Sequence, residues 1–130
     1  MQAFLLIDLS NAAGAVYEQP LLAHVKKTFP GISTFDLDAQ SDTMLQQYAV
    51  RLLQEADKAA VCIRADEDAA GFGTIMPVLE ELLTPHPDRL LLLYGINQRL
   101  QRMLQARPLL AFSVVNDEQT VYRQLQRYFA

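Results

Sequence analysis

Five short apolar runs, Phe4–Ile7, Ile32–Leu37, Ala59–Ile63, Leu90–Tyr94 and Leu109–Val115, alternate with segments whose apolar residues recur at helical spacing. Strands separated by helix-length connections cannot pair as tight hairpins. They pair in parallel, each connection crossing over one face of the sheet. The alternation therefore predicts a βα repeat, and it restricts the architecture more than any other feature of the chain. In sheets of this kind ligands sit outside the carboxyl ends of the strands, so function is to be sought in the loops that follow the runs. None of those loops carries a complete catalytic motif.

A chain of 130 residues, 51% hydrophobic and 20% charged, is long enough for one sizeable core, and a single domain over residues 1–130 is expected. No apolar run approaches the roughly 18 residues of a membrane helix, and no basic region precedes the first apolar run. A soluble, cytoplasmic protein without membrane contact is the expectation. The single cysteine, Cys62, lies inside the third run, where it is expected to act as a small core hydrophobe rather than a reactive thiol.

The net charge of −4 is unevenly spread, with five Lys/Arg against thirteen Asp/Glu in residues 1–88 and six Arg against two acids in 89–130. Arg99, Arg102, Arg107, Arg123 and Arg127 alternate with glutamines on segments whose other positions are apolar. That pattern reads as a solvated helix face, and nucleic acid is not the expected partner.

The first run ends at Asp8-Leu9-Ser10-Asn11, and Pro20 suits the first turn of a helix that Pro30-Gly31 stops. Ser41 is the expected N-cap of a helix with the stripe Leu45, Tyr48, Ala49, Leu52, Leu53 and Ala56. The third run leads into Asp66-Glu67-Asp68-Ala69-Ala70-Gly71-Phe72-Gly73, and Pro77 places the start of the next helix near Met76. Asn97 is an expected cap, as is Asn116-Asp117 before the last helix. The whole reads as a three-layer αβα domain with a mainly parallel, five-stranded sheet in flavodoxin-like order.

Asp8, Asp66 and Asp68 fall after strands that can be neighbours, and hard oxygen ligands of this kind suit Mg²⁺. The same aspartates equally well satisfy loop amides and turns. Gly71 and Gly73 would let backbone amides approach a phosphate, as would a loop at Ser10 and Asn11. An N-cap and a tight turn account for Ser10 and Asn11 as well.

Three family resemblances meet at these residues. Asp66 to Gly71 resembles the Asp-x-Asp-x-Ala-Gly segment of toprim domains, which implies Mg²⁺-dependent phosphodiester chemistry at Asp8, Asp66 and Asp68. Toprim domains place a glutamate after the first strand, where this chain has Asp8-Leu9. A receiver domain of response regulators is similar in its acids, but its lysine after strand five is replaced by Asn116-Asp117. The widest resemblance is to the mannose-type A component of the sugar phosphotransferase system, a small dimeric α/β protein. Leu45, Tyr48, Asp57, Val61 and Asp66 recur in similar order there, and Gly95-Ile96-Asn97 is similar to its Gly-Val-Asn. Its carrier histidine follows strand one, where this chain has Ser10-Asn11, so the fold is implied without the carrier chemistry.

The resulting expectation is a non-catalytic binding or regulatory module with an unknown protein or small-molecule partner. A Mg²⁺-dependent enzyme and a degenerate receiver are the alternatives. Basic final helices, an acidic remainder, open sheet edges and the stretch Val121, Tyr122, Leu125, Tyr128 and Phe129 predict a homodimer, with Tyr122 or Tyr128 between subunits.

Overall fold

The computed structural model describes residues 1–9, 20–38, 41–66, 75–84, 86 and 88–129. Their order is β1 (Gln2–Asp8), α1 (Pro20–Thr28), β2 (Ser33–Asp38), α2 (Thr43–Glu55), β3 (Lys58–Arg64), α3 (Met76–Leu83), β4 (Arg89–Tyr94), α4 (Gln98–Gln105), β5 (Ser113–Val115) and α5 (Glu118–Phe129). All five strands join one sheet in the order β2-β1-β3-β4-β5. Every pairing is parallel, β4 with β5 included. The α/β fold read from the alternation is the fold observed.

Parallel strands covered on both faces carry near-continuous apolar runs, and β1 shows why the sequence does so here. Ala3, Leu5, Ile7 and Leu9 point to one face, where they join Ala49, Leu52 and Leu53 of α2, Val78, Leu79 and Leu82 of α3, and Leu100 and Leu104 of α4. Phe4 and Leu6 point to the other, packing with Leu21 and Val25 of α1 and Val121 and Leu125 of α5. Cys62 is fully buried in this second layer. Burial pushes its thiol up to about 12.

The strand order fixes where the connections diverge. β1 leaves for α1 and then β2 on one side of itself, whereas β3 leads through α3 to β4 on the other. The carboxyl ends of β1 and β3 therefore lie where the connections diverge, the switch point at which such sheets take ligands.

Three local expectations need correction. The N-cap of α2 is Asp42, whose carboxylate accepts the Leu45 N–H at 2.9 Å. Ser41 closes the preceding turn instead, its hydroxyl accepting the Asp38 N–H at 3.0 Å. With the helix so phased, Gln46, Ala49, Leu52 and Leu53 are its buried residues, while Leu45 and Tyr48 are 42% and 54% exposed. Gln46 is accommodated because its amide donates to the Ser41 carbonyl at 2.9 Å. The fifth strand is also shorter than its apolar run. The Leu110 N–H closes a turn on the Arg107 carbonyl at 3.0 Å, which takes Leu109 away from β4 and leaves it 82% exposed.

The aromatic end of α5 packs on its own chain. Tyr122 stacks on His24 of α1 with ring centroids 3.8 Å apart. The Tyr128 hydroxyl donates to the Asp88 carbonyl at 2.6 Å, and the Lys58 ammonium caps the Tyr128 ring. Apart from Met1, the large apolar side chains left exposed among the described residues are Met44, Leu45 and Tyr48 on α2 and Ile96, Leu109 and Val114 around the ends of β4 and β5.

Candidate functional site at the switch point

One rung of the sheet, its last before the carboxyl edge, is built of functional side chains. Asp8 of β1 is in register with Asp38 of β2 on one side and with Arg64 of β3 on the other. Arg64 is in register with Tyr94 of β4, and Tyr94 with Val115 of β5. Side chains alternate along a strand, so residues of equal parity share a face. Asp8 follows Phe4 and Leu6, Arg64 follows Ala60 and Cys62, and Tyr94 follows Leu90 and Leu92, all of them in the layer beneath α1 and α5. Asp8, Arg64 and Tyr94 therefore stand side by side, roughly 5 Å apart in strand spacing, on one face of the sheet.

Their environments differ. Asp8 is 2% exposed, whereas Arg64 and Tyr94 are half-buried. The Cys62 thiol, two residues back on the same face, is raised first by burial, lowered by Arg64 and raised by Asp8, which places both charges against the same buried layer. The Arg64 guanidinium lies over the Tyr94 ring, 5.7 Å from its centroid. Burial raises the Tyr94 phenol, Glu118 raises it further, and Arg64 opposes them. Tyr122 is raised by burial and by Glu118, with which its hydroxyl makes a 3.3 Å hydrogen bond. The rung thus continues into the first turns of α5.

The backbone holds this edge tightly. The Leu9 N–H donates to the Arg64 carbonyl at 2.7 Å, the Ala65 N–H to the Tyr94 carbonyl at 2.9 Å, and the Gly95 N–H to the Val115 carbonyl at 3.0 Å. Gly95 adopts φ +101°, and a Cβ there would meet the Ala65 carbonyl oxygen at 2.0 Å. Glycine is required at this position on both counts.

Of the residues singled out in the sequence, Asp8, Asp66 and Asn97 come to this edge. Asn97 is buried and N-caps α4, its Oδ1 accepting the Leu100 N–H at 2.9 Å. Its Nδ2 donates to the Asp66 carbonyl at 3.0 Å, so it ties the loop after β3 to the loop after β4. Asp117 caps α5 as expected, accepting the Thr120 N–H at 2.7 Å. Ser10, Asn11, Asp68, Gly71 and Gly73 lie outside the described residues. Among the described residues no three His, Cys, Asp or Glu side chains gather as a metal-ligand group. Asp8 and Asp66 would be the members of a Mg²⁺ set present there, and a third ligand would have to come from elsewhere.

Sequence reading passed over Arg64 and Tyr94. The signal was a charged and a phenolic residue closing two buried strands, but their adjacency depends on register. The arginines of α4 and α5 are exposed, as their spacing indicated. No helix among the described residues is long and apolar enough to cross a membrane. Comparison with known proteins brings no outside guide to this site: no family model matches the chain, and neither a curated protein nor a solved structure matches it.

Proposed function

We propose that this chain is a non-catalytic binding or regulatory module whose ligand seats at the carboxyl edge of β1 and β3. The observation that carries the reading is the in-register row Asp8, Arg64 and Tyr94 at the switch point. It combines a buried acceptor, a planar cationic donor and a phenol at the point where the crossovers diverge. Groups of this kind orient a small polar molecule. A cytoplasmic location belongs to the same proposal. So does self-association, for which the outer edges of β2 and β5 and the exposed Leu109 and Val114 are better placed than Tyr122 or Tyr128.

A thermal-shift screen against polar small molecules tests the binding reading, because a ligand at 100 times its Kd stabilises the native state by about 2.7 kcal/mol. Stabilising compounds should exist, and Arg64→Gln should abolish their effect. Stabilisation that is equal in Arg64→Gln would place the ligand elsewhere. Turnover of a phosphodiester in the presence of Mg²⁺, lost in Asp8→Asn, would favour the enzyme alternative.

A further inference from the structure

The helices divide between the two faces of the sheet, with α2, α3 and α4 on one and α1 and α5 on the other. On the first face, apolar side chains stand exposed at both edges. Met44, Leu45 and Tyr48 of α2 are exposed and lie within one helical turn of one another. The Tyr48 ring centroid is 4.8 Å from that of Phe35, which fixes this patch beside β2, the outer strand on that side. At the other edge Val114 of β5 is exposed. Its neighbour Val115 points into the layer under α1 and α5, so alternation puts Val114 on the α4 face. Ile96 is exposed close by, because the Gly95 N–H bonded to the Val115 carbonyl holds the approach to α4 against the end of β5.

The charges at the two edges are opposite in sign. Residues 33–55, which form β2 and α2, carry Asp36, Asp38, Asp42 and Glu55 against Arg51 alone, whereas residues 96–116, which hold α4 and β5, carry Arg99, Arg102 and Arg107 and no acid. Lys26 and Lys27 of α1 and Arg123 and Arg127 of α5 belong to helices of the opposite layer. A two-fold axis at either edge sets like charge against like, acids on acids at β2 or arginines on arginines at β5. Setting the β5 edge of one copy beside the β2 edge of another opposes base to acid. Because both apolar patches lie on the same face, that arrangement also brings them together, with α2 of the second copy next in the row after α4 of the first.

Resting on the self-association in the reading above, we infer that copies of this chain join head to tail, the β5 edge of one against the β2 edge of the next. Ile96 and Val114 then cover Met44, Leu45 and Tyr48, and the arginines of residues 96–116 face the acids of residues 33–55. A contact between unlike edges leaves one of each free at the ends, so the assembly grows into a ring or a chain rather than stopping at two copies. Exposed charges are screened by salt, so association weakens as salt rises.

Sedimentation velocity of the full chain over a dilution series tests this, together with two variants that each block one edge at exposed positions. Met44→Lys with Tyr48→Lys puts cations on the β2 edge, and Arg102→Glu with Val114→Glu puts acids on the β5 edge. The native chain should pass beyond twice the monomer mass as concentration rises and fall back in high salt. Each variant alone should stay at the monomer mass. Mixed in equal amounts, they should recover at least twice the monomer mass, since each keeps the edge the other has lost. Circular dichroism checks the fold of each variant, and Tyr48→Lys or Val114→Glu alone replaces a pair that unfolds. A dimer formed by either variant alone would overturn the inference in favour of a two-fold contact through its intact edge. If the native chain associates but the mixture stays at the monomer mass, the head-to-tail contact is wrong and self-association stands. A native chain that is monomeric at every concentration removes self-association as well and leaves the ligand site untouched.

Discussion

Replacing Gly95 by alanine is the sharpest perturbation of the edge on which the site is built. The residue has φ +101°, a conformation that costs an L-amino acid about 1–2 kcal/mol. The added Cβ must also retreat from 2.0 Å to at least 3.0 Å from the Ala65 carbonyl oxygen, a backbone atom that no rotamer change can move. Parting the ends of β3 and β4 by that much strains the Ala65 N–H to Tyr94 and Gly95 N–H to Val115 hydrogen bonds, at about 1 kcal/mol each. The expected loss is about 3–4 kcal/mol, a large share of the roughly 5–15 kcal/mol of a typical domain. Urea unfolding should show a lower midpoint with an unchanged slope, the mark of altered stability rather than altered compactness. A loss below about 1 kcal/mol would refute the argument, because positive φ alone predicts more than that.

Three further outcomes follow from named contacts. Asn97→Ala should cost about 1–2 kcal/mol in urea unfolding, and Asn97→Asp should cost less because it keeps the cap on Leu100 while losing the donor to the Asp66 carbonyl. Arg89→Met should cost about 3 kcal/mol, since the guanidinium side chain is 9% exposed and ties Glu81 to the Leu53 carbonyl; the double change with Glu81→Leu should cost less than the sum of the two. Stability should fall in alkali: Cys62 ionises near its ordinary 9.0 when unfolded but near 12 when folded, so its contribution is whole below pH 9 and is lost as pH rises towards 12. Tyr94, Tyr122 and Tyr128 are raised by burial and act in the same direction above pH 10. Unfolding curves at pH 8 and 10.5 check this, and Cys62→Ala should lessen the fall.

The fold was legible because the runs of β1, β3 and the middle of β4 are buried on both faces, which leaves a signal that survives without knowledge of the partners. The cap of α2 was misplaced by one residue because Ser41 and Asp42 are both good caps, and the choice was made by the Asp38 turn that claims the Ser41 hydroxyl. The length of β5 was overread because Leu109 and Leu110 look like strand residues until the turn on Arg107 is seen to consume a backbone donor. Asp8 and Asn97 were visible as polar residues after strands. Arg64 and Tyr94 were not, because their meaning lies in a rung shared across three strands, and register is a tertiary property.

Amide chemical-shift mapping with any compound that stabilises the chain tests the central claim most directly. The largest shifts should cluster on Leu9, Arg64 to Asp66 and Gly95 to Asn97, at the carboxyl ends of β1, β3 and β4. Shifts concentrated at the opposite edge, around Lys58, Asp88 and Arg89, or on the outer face of α2, would contradict a ligand site at the switch point.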